Sequence, residues 1–266
     1  KLGVVPFHMW AADVYEGAPA PVTAFIATVS KGGMMALLVR FFTQINGYQY
    51  HALILVFTVI AIASMFIGNF LALRQGNVKR VLAYSSIAHI GYLLVAFLAG
   101  GKLGVEAVSF YLVAYFITTT GAFGILATLS DKDRDAEMLE DYKGLFWTRP
   151  WTATIFTTML LSLAGIPLTA GFIGKFYIVA AGVNAHQWLL IVILAVNSAI
   201  GLYYYIKIIA TMVERYEGER EPADQLHPSV YIVSGVTMAI LTLLLIWIGV
   251  APNAIMVLIQ ELIATS

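Results

Sequence analysis

The chain has 266 residues, of which 60% are hydrophobic and 11% charged, with no cysteine and a formal net charge of zero; its mean hydropathy is +0.85. That composition excludes an ordinary soluble domain and places the chain in lipid. Without thiols it forms no disulfide, iron–sulfur cluster or thiolate metal site, and without a basic block it is not a nucleic-acid partner.

The chain opens at Lys1 with no initiator Met, n-region or cleavage site, so we expect the C-terminal part of a longer protein. Apolar runs predict a partial span at 1–13, then spans at 22–43, 51–73, 80–100, 104–129, 150–184, 187–212 and 229–249. The fold class is therefore an all-α transmembrane, polytopic helix bundle. Loops on one side hold Arg74, Lys79, Arg80, Lys132, Arg134, Lys143, Arg149, Arg215 and Arg220, whereas those on the other hold Lys102 alone. This positive-inside bias puts the charged loops in the cytoplasm and the tail from Ala251 in the periplasm of an inner membrane. The stretch Asp131 to Asp141 mixes both signs and reads as a solvated loop. Tyr203, Tyr204 and Tyr205 approach the charged side and read as an aromatic belt.

The 150–184 span is too long. As one helix it would extend about 52 Å across a hydrocarbon core of roughly 30 Å. Gly165, Pro167 and Gly171 supply the break, because Pro167 has no N–H and frees the carbonyl of Leu163. Two half-helices joined at membrane depth follow. Pro6 has the same character, freeing the carbonyl of Leu2, which makes two discontinuous helices in all. Interrupted helices are tolerated where they are buried or line a polar cavity, and they recur at ion sites of transporters.

Five of the basic residues fall inside spans: Lys1, Lys31, Arg40, Lys175 and Lys207. Arg40 and Lys207 are close enough to an interface to snorkel. Lys1, Lys31 and Lys175 lie ~14–18 Å deep by helical rise, and His89 sits at similar depth. A charged Lys at the bilayer centre costs at least ~2.5–3.5 kcal/mol, so three in one bundle argue for a hydrated interior path. Desolvation disfavours the charged amine, and His exchanges protons near neutral pH unaided, so Lys1, Lys31, His89 and Lys175 form a candidate proton relay. No deep carboxylate accompanies them: Asp13 and Glu16 fall in a loop, Glu106 near the far surface and Glu261 in the tail. Asn69, Thr118, Asn197 and Ser198 read as helix-packing groups. No phosphate-binding loop or H-E-x-x-H motif is present, and His8, His51, His89, His186 and His227 are scattered, so no catalytic, cofactor or metal site is expected in this chain.

Several strings carry a family likeness: Lys1 to Trp10, Asp13 to Pro19 with Ser30 and Lys31, Lys79 to Tyr92, and Ala164 to Phe176. Over nearly its whole length the chain resembles the subunit N family of antiporter-like membrane proteins in bacterial respiratory complex I, the proton-pumping NADH:quinone oxidoreductase. The resemblance implies a fourteen-helix, antiporter-like inverted-repeat fold of which this chain keeps helices seven to fourteen. Residues 1–43 would end the first repeat, 51–212 form the second, and 229–266 form the C-terminal helix and tail of a single transmembrane domain. It also implies that Lys1, Lys31, His89 and Lys175 belong to a central hydrophilic axis, with a Glu outside this chain pairing with Lys1. Flavin mononucleotide, iron–sulfur clusters, NADH and quinone would then reside in partner subunits. The expected partners are other membrane subunits, including the antiporter-like paralogue and small membrane subunits, together with lipid. A cation/proton antiporter of the Mrp type uses the same fold, and a structural spacer with vestigial lysines is the third reading.

Overall fold

The computed structural model describes residues 1–131, 134–215 and 228–265. Lys132, Arg220 and His227 lie outside the described residues. The chain folds into helices α1 (Met9–Gly17), α2 (Ala20–Phe25), α3 (Lys31–Gln44), α4 (His51–Leu73), α5 (Val78–Ala99), α6 (Gly101–Leu129), α7 (Leu145–Thr148), α8 (Pro150–Ala164), α9 (Ala170–Asn184), α10 (Trp188–Val213), α11 (Pro228–Val250) and α12 (Asn253–Thr265). Among the described residues, six stretches are long and apolar enough to cross a membrane: Ala20–Gln44, His51–Leu73, Val78–Ala99, Gly101–Leu129, Trp188–Val213 and Val233–Val250. Helices α8 and α9 have 15 residues each. At ~22 Å apiece neither crosses alone, and the pair in series does.

The bundle is built around α5. Its most apolar window is 94% buried, against 28% for α4 and 33% for α10, which turn their other faces outward. Close approach of α4 and α5 depends on small residues: a Cβ on Gly91 would stand 2.7 Å from Met65 Cγ.

The structure corrects several expectations. Residues 1–8 are not helical, and Pro6 lies in the turn directly before α1. Asp13 and Glu16 consequently lie on α1. The helix carrying Lys31 is itself irregular, because Ile26–Ser30 forms a π turn between α2 and α3. The tail beyond Ala251 forms α12, whose Ile259 is buried. Tyr204 and Tyr205 are buried in the bundle, and only Tyr203 is exposed as a belt residue would be. Arg40 and Lys207 are exposed, consistent with charges that reach an interface.

The face bearing the basic loops is locked by polar contacts. Lys79, 2% exposed, pairs with Asp135 and donates to the carbonyls of Glu16 (3.0 Å) and Ala18 (2.8 Å) at the C-terminal end of α1. Arg80 pairs with Asp13 at 3.0 Å and with Glu16. The loop segment around Met138 bridges to Asn77, and Tyr142 is fully buried with its hydroxyl on the Ala136 carbonyl at 2.7 Å. The described part of this loop is thus docked on α5, where solvation was expected.

Candidate proton-relay site

Lys31 opens α3 directly after the π turn. A π turn adds a residue to the repeat and rotates the next stretch of helix about its axis, a local irregularity often found at functional sites. Here it delivers a lysine that is 1% exposed. Its Nζ donates to Ser86 Oγ at 2.6 Å and stands 5.4 Å from the Tyr15 ring centroid. Ser86 passes its own hydrogen bond to the Ala83 carbonyl at 2.7 Å. A cation against a desolvated aromatic face gains about 2 kcal/mol, which offsets part of its burial.

One turn along α5 from Ser86 comes His89, and another turn brings Tyr92; the spacing of three puts all three on one face. His89 Nδ1 is 2.6 Å from the Tyr111 hydroxyl on α6, and Nε2 is 3.1 Å from the Tyr205 hydroxyl on α10. Both ring nitrogens therefore have a hydroxyl that can donate or accept. Tyr205 also bonds Ser85 on the neighbouring face of α5. Tyr92 lies edge-on to His89 at 5.4 Å and presents its ring to Lys175 Nζ at 5.2 Å.

Lys175 occupies the helix break. Gly165 ends α8 at φ 85°, and its N–H reaches the carbonyls of Leu161 and Ser162 while Ile166 N–H returns to Leu161. This is a Schellman closure, and it leaves the carbonyls of Leu163 and Ala164 without helical donors. Lys175 Nζ donates to both, at 3.0 and 2.8 Å, and to Ser198 Oγ at 2.8 Å. The ammonium thus sits at the negative end of the α8 dipole. Glycine at 165 serves twice, because a Cβ there would lie 2.8 Å from Lys175 Cδ. Gly171 falls inside the first turn of α9, outside the gap itself, where its N–H reaches Ser162 Oγ at 3.2 Å and a Cβ would collide with the Ser162 carbonyl. A cavity of about 10 Å³ is lined by His89, Tyr111, Thr118, Ser162 and Leu163.

The structure therefore brings Lys31, His89 and Lys175 onto one line along α5. Lys1 is exposed, and among the described residues it bonds none of these three; the nearby Gly3 does approach the site, since a Cβ on it would be 3.6 Å from Lys31 Nζ. Residues that sequence reasoning does not place in the site complete the line: Tyr15, Ser85, Ser86, Tyr92, Tyr111 and Tyr205, the last of which reads in the sequence as part of an aromatic belt. The three-residue spacing of Ser86, His89 and Tyr92 was the available signal. Beside the line, Asn69 Nδ2 reaches the Tyr92 hydroxyl (3.2 Å) and Asn197 Oδ1 (3.1 Å), and Tyr204 donates to Asn69 Oδ1 at 2.9 Å. Among the described residues no three His, Asp or Glu side chains gather as metal ligands would.

Comparison with known proteins gives a consistent family. The family described as "NADH:quinone oxidoreductase/Mrp antiporter, TM" matches residues 1–201. A protein of Methylococcus capsulatus named NADH-quinone oxidoreductase subunit N is 48% identical over 258 residues, covering 95% of this chain and 51% of that protein. A chain of respiratory complex I from Thermus thermophilus superposes with a TM-score of 0.81 at 32% identity, over 96% of this chain and 55% of that one. A chain of the Mrp complex from a Dietzia species gives 0.85 at 21% identity, over 98% and 56%, a likeness of fold alone. The chain spans about half the length of the curated relatives it matches. With six spanning stretches among the described residues and this match, it is a multi-pass membrane protein.

Proposed function

Since the chain belongs to the NADH:quinone oxidoreductase/Mrp antiporter transmembrane family, we propose that it forms the proton-conducting part of a membrane subunit of an NADH:quinone oxidoreductase. Protons pass along Lys31, Ser86, His89 and Lys175, with Lys1 as the entry to the same axis. The supporting observation is that two buried lysines on separate irregular helices approach α5 on either side of His89, with a hydroxyl or imidazole at each step: Ser86 at Lys31, Tyr111 and Tyr205 at His89, and Ser198 at Lys175. Each link can both donate and accept, a property that proton transfer requires and that packing does not.

In this reading the chain acts within a translocase and has no redox centre of its own. Electrons travel from NADH to quinone in partner subunits that hold flavin and iron–sulfur clusters. The membrane is a bacterial inner membrane, with the basic loops cytoplasmic and α12 periplasmic. Residues 1–43 end one repeat, 51–212 make the second and 229–266 close the domain. The neighbours are other membrane subunits, including an antiporter-like paralogue.

Lys31→Ala and Lys175→Ala, each made in the full-length protein within its complex, are expected to lower NADH-driven proton pumping and coupled turnover while assembly persists. Normal pumping with both changes together refutes the reading. Sodium-dependent flux by the full-length protein outside any redox complex would transfer the assignment to a cation/proton antiporter.

A further inference from the structure

Glu106 is a buried carboxylate that the Lys31–His89–Lys175 relay does not use. It lies in the second turn of α6, counted from the end opposite the basic face, and is 5% exposed. Among the described residues no donor hydrogen-bonds its Oε1. Lys102, one turn nearer the surface and 67% exposed at its side chain, holds Nζ 3.8 Å from that oxygen. A carboxylate in this position is costly unless paired, and an apolar side chain would fill the space better, so packing does not account for it.

Its surroundings connect it to the axis. Phe110, the next turn of α6 on the same face, meets the ring of Tyr177 at 4.9 Å, and Tyr177 lies on α9 two residues beyond Lys175. Tyr111, adjacent to Phe110, bonds His89. Glu106 thus lies outward of Tyr111 on α6, where α6 packs against the helix that carries Lys175. Lys102 on its own helix is its ion-pair partner, and Tyr177 of α9 packs on Phe110 one turn deeper.

We propose that Glu106 is the proton-release group between the buried axis and the face opposite the basic loops, an assignment that rests on the proton-relay reading of this chain. The carboxylate takes one proton arriving from the His89–Tyr111 pair, five residues deeper or about 7.5 Å of helical rise, across a short file of water. It becomes the neutral acid, while the axis is reprotonated from the Lys31 side. Loss of that proton to water beside Lys102 restores the carboxylate and its ion pair.

The test uses the full-length protein assembled in its membrane complex, in vesicles, reading protons moved per NADH oxidised. Glu106→Gln is expected to lose pumping to the extent that Lys175→Ala does, and Glu106→Asp to restore it with a shifted pH profile. Wild-type pumping in Glu106→Gln beside impaired Lys175→Ala overturns the assignment and leaves the relay standing. Wild-type pumping in both removes the relay and this assignment with it. If Glu106→Gln fails to assemble, Glu106→Asp decides: an unchanged pH profile overturns the proposal and a shifted one supports it.

Discussion

Lys175 Nζ lies 3.0 Å from the carbonyl oxygen of Leu163, the acceptor that the break at Pro167 leaves without a helical donor. The lysine is therefore held by the interruption itself. Removing its ammonium unpairs the Leu163 carbonyl and leaves the Ala164 carbonyl with the Ser198 hydroxyl at 3.4 Å, whereas changing the break displaces the ammonium without removing it.

Gly165→Ala separates these effects. The residue adopts φ 85°, and the new Cβ would press on Lys175 Cδ at 2.8 Å. The left-handed backbone alone costs about 1–2 kcal/mol for a residue with a Cβ. Lower thermal stability of the purified complex is expected, with pumping reduced although Lys175 is intact. Unchanged pumping would show that the placement of Lys175 tolerates displacement.

Tyr205→Phe tests the middle of the line. The hydroxyl bonds both His89 Nε2 and Ser85, so its loss leaves a buried imidazole nitrogen and a serine short of a partner. Each such orphan costs about 1–3 kcal/mol. The expected outcome is reduced pumping per NADH with preserved assembly. Wild-type pumping would route protons through Tyr111 alone.

The spans were legible because lipid leaves few alternatives. Apolar length set α4 at 51–73 and α10 within a residue or so, and the excess length of 150–184 together with Pro167 located the break. The burial of Lys31, His89 and Lys175 was legible for the same reason, since deep charge is rare in lipid. The π turn before Lys31 was not, because nothing in Ile26–Ser30 distinguishes it from ordinary helix by composition. Tyr204 and Tyr205 were misread because a run of three tyrosines near an interface has the composition of an aromatic belt, and which of them faces inward depends on helix rotation. Lys79 was counted among loop charges although it is buried, because its partners at Glu16, Ala18 and Asp135 come from segments far away in sequence.

Asn69 and Asn197 should couple energetically. They share a hydrogen bond at 3.1 Å, and Asn69 also binds Tyr92 and Tyr204. Replacing Asn69 by Ala strands several buried groups, and a loss of about 1–3 kcal/mol is expected. In a double-mutant cycle with Asn197→Ala, measured by thermal unfolding in detergent, the two losses should fall short of additive. Strict additivity would mean that the amides act independently.

Tyr142 gives a pH dependence outside the membrane. Burial, then the nearby Asp141, Asp135 and Glu137, push its phenol well above the ordinary tyrosine range. The folded protein therefore holds this proton more tightly than the unfolded chain, so the stabilisation is complete below pH ~10 and is lost as pH rises beyond it. Tyr142→Phe should remove that alkaline component from the pH profile of unfolding. It should also lower stability at neutral pH by about 1 kcal/mol, through loss of the 2.7 Å bond to the Ala136 carbonyl. If both proteins show the same alkaline decline, the phenol is ionising without opening the docked loop.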